Sequence, residues 1–221
     1  MTTASPHVAS SPAVDADART ILMRMREAAR KSGAPSYDER MASLDKLERV
    51  ILARKAAITD AIARDFGGRS RHETIVTEVF LVLGALKHAK AHLRDWMEPE
   101  DRETAWVFLP ARVQLLPQPV GVVGIISPWN YPVQLALAPL VGALAAGNRV
   151  IIKPSELVPE TSALLRDLVV ETFPEDQVAV VTGGPEVGDA FSRLPFDHLV
   201  FTGSTRVGKI VMRNASENLV P

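Results

Sequence analysis

The 221-residue chain contains no cysteine. That excludes disulfides, thiolate metal sites and a thiol nucleophile from these residues, and it leaves the redox compartment open. An excess of one charge is also missing: 25 Lys and Arg against 26 Asp and Glu give a formal net charge of −1. Such a balance offers no field to hold nucleic acid or an anionic membrane, so neither is expected as a partner. Long apolar runs are scarce. The longest, near Val133 to Ala146, is interrupted by Gln134, Pro139 and Gly142 and is too short to span a bilayer. Met1 to Pro12 is mostly Ser, Thr, Ala and Pro, without the basic start and apolar stretch of a secretory signal. Residues 1–14 read as a disordered tail ahead of a soluble, cytoplasmic body. The remaining composition, 47% hydrophobic and 23% charged, is that of an ordinary globular protein with one large domain or two small ones.

From Ala13 to about Pro99 the pattern is helical. Ser36-Tyr37-Asp38-Glu39 has capping-box spacing, and Leu44, Leu47, Ile51, Ile58, Ile62 and Phe66 then recur as one apolar stripe up to Gly67-Gly68. Ser70-Arg71-His72-Glu73 repeats the box, and the apolar segment Ile75 to Leu86 should be buried all round. Thr104 to Pro119 is β-type, with Trp106, Phe108, Val113, Leu115 and Leu116 around Pro110-Ala111. It predicts a hairpin that turns near Pro110 and projects as an arm for pairing with another chain.

After Val120 short apolar strands alternate with helices. Strands are expected at 121–126, 149–153, 178–181 and 197–201, and helices at 132–146, 158–172, 185–192 and 204–213. That order defines an α/β fold: a parallel sheet with helices on both faces, following amino-terminal helices and a hairpin arm. Leu219-Val220-Pro221 sits where another strand should begin.

In such sheets ligands bind beyond the carboxyl ends of the strands, and three strand ends carry polar groups. Asn130 lies between Pro128 and Pro132, which stiffen its backbone. Its amide could stabilise a developing oxyanion, or it could be a turn residue. Lys153-Pro154-Ser155-Glu156 offers an ammonium and a carboxylate for a ribose, or equally a helix start with Ser155 as cap and Glu156 in the first turn. Phe201-Thr202-Gly203-Ser204-Thr205 ends a strand and opens a helix, which suits a phosphate or simply a tight turn. Gly203, Gly208 and Lys209 also approach a P-loop, but Ile210 occupies the position of the magnesium-binding hydroxyl. His88 and His92 have zinc-compatible spacing, yet Lys87, Lys90 and Arg94 around them favour a solvated helix face. His198 reads as a packed or hydrogen-bonded strand residue rather than a base, and Trp96, Trp106 and Trp129 as packing residues.

Taken together, Pro119-Val120-Gly121-Val122-Val123, Pro128-Trp129-Asn130-Tyr131-Pro132, Ala145-Ala146-Gly147-Asn148, Lys153-Pro154-Ser155-Glu156 and Phe201-Thr202-Gly203-Ser204-Thr205 with Val207-Gly208 resemble the aldehyde dehydrogenase superfamily. The resemblance is to the class-3 branch, which includes enzymes for coniferyl, fatty and benzylic aldehydes, and it covers the amino-terminal part of such a protein. It implies a Rossmann-like domain for NAD or NADP, with NAD favoured by Glu156. Asn130 would donate to the substrate oxygen. Ile126, Ser127, Pro128 and Trp129 would line the cofactor near its nicotinamide. Lys153, Ser155 and Glu156 would lie at the adenosine ribose, and Gly203, Ser204, Val207 and Gly208 by the pyrophosphate and adenosine end.

The resemblance further implies that residues 15–221 are the amino-terminal part of the NAD(P)-binding domain, with residues 104–119 as an oligomerisation hairpin for a homodimer. The family mechanism needs a thiolate nucleophile and a Glu base in a Glu-Leu-Gly-Gly segment, and neither occurs in this chain. Arg206 also stands where many branches carry an acid. The expectation is therefore a truncated chain that does not itself turn over, from an enzyme oxidising a small-molecule aldehyde to a carboxylic acid. The alternatives are a non-catalytic nucleotide-binding or interaction protein and a P-loop-type nucleotide hydrolase.

Overall fold

The computed structural model describes residues 12–221, so the expected tail at residues 1–11 lies outside the described residues. Helix α1 spans Pro12–Ser32, so residues 12–14, expected in the tail, are helical. Helix α2, Tyr37–Ala53, starts at a complete capping box. The Ser36 hydroxyl accepts from the Glu39 N–H at 3.3 Å, and the Glu39 carboxylate accepts from the Ser36 N–H at 2.8 Å. The single helix expected through Phe66 is interrupted at Arg54, and α3 follows at Lys55–Asp65. It stops where Gly67 takes a φ of +65° and the Gly68 N–H reaches back to Ala63 O at 2.8 Å.

A short α4, Arg71–Thr74, passes through a π turn, Ile75–Val79, into α5, Phe80–Met97. The second expected capping box does not form, because the Ser70 side chain makes no capping bond and Glu73 pairs with Arg69 at 3.3 Å instead. Nor is the segment after it buried all round. Val79, Val82 and Leu86 are buried, but Val76, Phe80 and Leu81 are exposed, since the helix docks only one face. The hairpin is also displaced from its expected bounds. Strand β1, Glu100–Arg102, pairs antiparallel with β2, Val113–Leu115, and Trp106–Phe108 is a 3-10 turn. Local bonds from Phe108 N–H to Ala105 O and from Ala111 N–H to Phe108 O close the connection, so Trp106 and Phe108 have no cross-strand partner.

The main sheet contains β3 (Val122–Ile126), β4 (Arg149–Lys153), β5 (Val178–Val180) and β6 (His198–Phe201). All pairs are parallel, in the order β5-β4-β3-β6. The connecting helices are α6 (Gln134–Ala145), α7 (Pro159–Thr172) and α8 (Pro185–Ser192), and α9 (Thr205–Ser216) follows β6. The period of two in the strands sorts two cores. Val123, Ile125, Val150, Ile152 and Val178 pack with α2, α3, α5, α6 and α7. On the opposite face Val122, Ile151 and Ala179 meet Leu22 and Met25 of α1 and Val187 and Phe191 of α8. Helices therefore cover both faces, the Rossmann-like arrangement expected. His198 is exposed on the edge strand rather than packed.

The start of β3 needs a glycine. Gly121 has a φ of +132°, and a Cβ there would fall 2.3 Å from the Asp197 carboxylate. That carboxylate accepts from the Val122 N–H at 2.8 Å and pairs with Arg26 of α1 at 3.0 Å, which ties a helix from one face to the first strand. Among the described residues no helix is long and apolar enough to cross a membrane. The difference between the two Ser positions is measurable. Ser36→Ala should lower unfolding free energy by about 1 kcal/mol. Ser70→Ala should change it by less than about 0.5 kcal/mol in the same denaturant titration.

Candidate functional site

The sheet order changes direction between β3 and β6, the switch point at which parallel sheets hold ligands beyond their carboxyl ends. The register brings the three polar strand ends together there: Ile126 is level with both Lys153 and Phe201. Two backbone bonds extend the alignment past the strands, from Ser127 N–H to Lys153 O and from Thr202 N–H to Ile126 O, each 3.1 Å. Residues more than 70 positions apart in sequence, such as Asn130 and Gly203, are thereby confined to one end of the sheet.

The Asn130 loop leads from β3 into α6, and Asn130 itself is exposed. Its carbonyl accepts from Arg69 Nη1 at 2.9 Å. The same guanidinium lies over the rings of Tyr131, at 4.7 Å, and Phe66, at 5.1 Å. Trp129 is half exposed, with its ring 6.3 Å from that of Phe66. Ser127 is buried, and its hydroxyl has no hydrogen-bond partner among the described residues.

Lys153 is buried at the end of β4. Its ammonium donates to Pro154 O at 3.0 Å and to the Glu156 carboxylate at 3.3 Å, while Glu156 itself reaches solvent. The Lys153 stem passes Gly188 of α8, where an added Cβ would stand 3.3 Å from Cε. That glycine carried no signal in the sequence, because only the fold brings it beside the lysine. Ser155 is not a helix cap as one reading expected. Its hydroxyl accepts from the Leu157 N–H at 3.2 Å, and α7 begins later, at Pro159. The first turn of α7 is capped from afar: Asp65 accepts from the Glu160 and Thr161 N–H groups at 3.1 and 2.8 Å.

At the third strand end Ser204 is the N-cap of α9, accepting from the Val207 N–H at 3.4 Å. Gly203 lies against the Phe201 ring, where a Cβ would come within 2.5 Å of a ring carbon, and Gly208 faces the same ring. Arg206 and Val207 are exposed at the helix start. The P-loop alternative does not fit this geometry. Only residues 202–204 separate β6 from α9, so Lys209 and Ile210 already lie inside the helix.

Glu78 was not foreseen as part of this region. It is fully buried in the π turn, and one carboxylate oxygen accepts from the Val133 and Gln134 N–H groups at 2.9 and 2.8 Å. Its other oxygen faces Arg69 at 3.4 Å. Burial pushes the Glu78 carboxyl above its ordinary value, and the two N–H donors with Arg69 pull it only partly back. His88 and His92 lie away from the site, with rings 4.3 Å apart and His92 Nδ1 3.0 Å from the His88 carbonyl. A hollow of about 640 Å³ beside Gly33, Arg40, Gly121 and Arg149 contains none of the candidate residues. It lies at the amino ends of β3 and β4, opposite the end where parallel sheets hold ligands.

Fold and site together define an α/β protein with its polar groups gathered at the carboxyl ends of a doubly covered parallel sheet. Its sequence matches the pattern of the aldehyde dehydrogenase family over residues 3–221, and the chain belongs to that family. It is 49% identical over 215 residues to a probable coniferyl aldehyde dehydrogenase of Caulobacter vibrioides, covering 96% of this chain and 44% of the relative. A coniferyl aldehyde dehydrogenase of Pseudomonas sp. is 46% identical, with 90% and 41% covered. The substrate-bound structure of Staphylococcus aureus AldH superposes with a TM-score of 0.87 at 36% identity, over 91% of this chain and 44% of that one. The chain thus spans less than half the length of these relatives.

The buried carboxyl predicts a pH effect on stability. A group with a raised folded-state value holds its proton more tightly when folded, so its contribution is full below the unfolded value near 4.5 and is lost as pH rises through the folded value. Glu78→Gln should remove that decline. In denaturant titrations of both forms between about pH 4 and 8, the wild type should lose stability relative to the variant as pH rises.

Proposed function

We propose that this chain is the cofactor-binding and oxyanion-stabilising portion of an NAD(P)-dependent enzyme that oxidises an aldehyde to a carboxylic acid. The observation that carries the reading is the register that sets Asn130, the Lys153–Glu156 pair and the Gly203–Ser204 turn beyond the same end of the sheet at its switch point.

The residues present fit a dinucleotide. Glu156 offers an exposed carboxylate for paired ribose hydroxyls, steadied by the buried Lys153 ammonium at 3.3 Å. Ser204 opens α9, whose first-turn N–H groups have no carbonyl inside the helix and favour an anionic diphosphate. Gly203 and Gly208, packed on Phe201, keep that approach low, with Val207 beside them. Ile126, Ser127, Pro128 and Trp129 would line the reacting end. Ser155 would shape the ribose end by fixing the turn that carries Glu156. When bound, the dinucleotide accepts a hydride.

Asn130 holds the developing oxyanion of the attacked aldehyde by its side-chain N–H. Its value lies in being oriented beforehand, so the dipole does not reorganise during reaction. The nucleophile and the water-activating base would come from residues outside this chain, which has no Cys. Residues 1–221 alone should therefore give no aldehyde-dependent reduction of NAD. Coniferyl-type relatives make an aromatic aldehyde the substrate class to try first. NAD is favoured over NADP because a 2′-phosphate would meet the Glu156 carboxylate. The exposed hairpin face of Trp106, Phe108 and Leu115 would serve a homodimer contact.

The protein expressed from the complete reading frame tests this reading, with NAD or NADP against aliphatic and aromatic aldehydes. Asn130→Ala should lower kcat about 10²- to 10³-fold; unchanged turnover in that variant defeats the assignment. Glu156→Gln should weaken NAD binding about tenfold or more by fluorescence titration, the size of a lost charge-assisted hydrogen bond, and reduce discrimination against NADP.

A further inference from the structure

The proposed role of Asn130 requires that its carboxamide be aimed before substrate arrives, yet the residue is exposed and lies in a loop. Its flanking prolines limit φ at their own positions, and they do not fix where the loop as a whole points. The anchor comes from the π turn and the residues just before α4. Arg69 Nη1 donates to the Asn130 carbonyl at 2.9 Å, and the Arg69 side chain is only 7% exposed. The guanidinium is itself fixed on several sides: by Glu78 at 3.4 Å, by the Thr77 hydroxyl at 3.3 Å, by Glu73 at 3.3 Å and by the faces of Phe66 and Tyr131. Glu78 holds the other end of the same loop through the Val133 and Gln134 N–H groups. One ion pair therefore grips the loop at Asn130 and again at the start of α6.

We infer that Arg69 and Glu78 are a positioning pair, which aims the Asn130 carboxamide by clamping its own backbone carbonyl and the helix start that follows. This rests on the oxyanion role proposed above. Neither residue needs to touch substrate or cofactor. Arg69 acts through Asn130, and Glu78 acts through Arg69 and α6. A brace that only stabilised the fold would lower the thermal midpoint and leave the chemistry of surviving molecules unchanged. A positioning pair lowers kcat in molecules that are fully folded and saturated with dinucleotide.

The experiment is a double-mutant cycle in the complete protein, with Arg69→Gln, Asn130→Ala and the combination compared at saturating NAD. Arg69→Gln should lower kcat about 10- to 10²-fold, the scale of a displaced catalytic group, with dinucleotide affinity unchanged. In the Asn130→Ala background the same substitution should change kcat by less than about twofold, because the group it aims is gone. An equal loss in both backgrounds, or no loss in the wild-type background, overturns the inference. If Arg69→Gln does not accumulate as folded protein, Arg69→Lys replaces it. Its single ammonium keeps charge beside Glu78 but cannot span both partners as the fork does, so the same coupled loss is expected and full activity overturns the pair. Full turnover in Asn130→Ala would sink the oxyanion reading and this inference together. An impaired Asn130→Ala with a fully active Arg69 variant would sink only the inference.

Discussion

Helix α6 is held by opposite charges at its two ends, and both come from the amino-terminal helices. Its sequence is almost wholly apolar, includes Pro139 and provides no side-chain cap of its own. Glu78 accepts from the N–H groups at its start, while the buried Arg40 donates to Ala145 O in its last turn at 3.2 Å. The signs match the helix dipole, with a carboxylate at the positive end and a guanidinium at the negative end. Interactions of this kind contribute about 0.3–1 kcal/mol each when exposed and up to about 2 kcal/mol when partly buried. They also supply partners that the buried backbone would otherwise lack. Asp65 does the same for α7 from the end of α3. The helical layer is thus bound to the sheet through the helix termini as well as through apolar packing.

The same bonds anchor the candidate site. The Asn130 loop runs from a strand buried up to Ile125 to a helix whose first N–H groups are engaged. Lys153 is set by the register of β4 against β3 and by the space Gly188 leaves for its stem. Asp197 extends the same logic to the far end of β3, where one carboxylate joins Val122 to Arg26 of α1.

Much of this architecture was legible in the sequence, because strand–helix alternation, the Gly67-Gly68 stop and the Ser36 box are local signals. The convergence of Asn130, Lys153 and Gly203 was legible too, since parallel strands place their carboxyl ends together. What escaped was long-range. Glu78, Arg69, Asp65 and Arg40 carried no motif of their own, and nothing near them in sequence names the helix end or loop each one reaches. The Ser70 box failed to a local competitor: Arg69, four residues before Glu73, pairs with its carboxylate. Trp106 and Phe108 looked like alternating strand residues, yet successive local turns captured their backbone. Val76, Phe80 and Leu81 were taken for interior by composition alone, whereas the docking of α5 sets one side only.

The turn between β6 and α9 leaves no slack, since residues 202–204 are all that join strand to helix. Each residue of an α-helix advances the side-chain direction by about 100°. Adding or deleting one residue in that connection would therefore swing Gly208 off the Phe201 ring and turn a different side of α9 toward it. Substitutions there alter a surface; a change of length turns the helix like a key, so this connection has a fixed length.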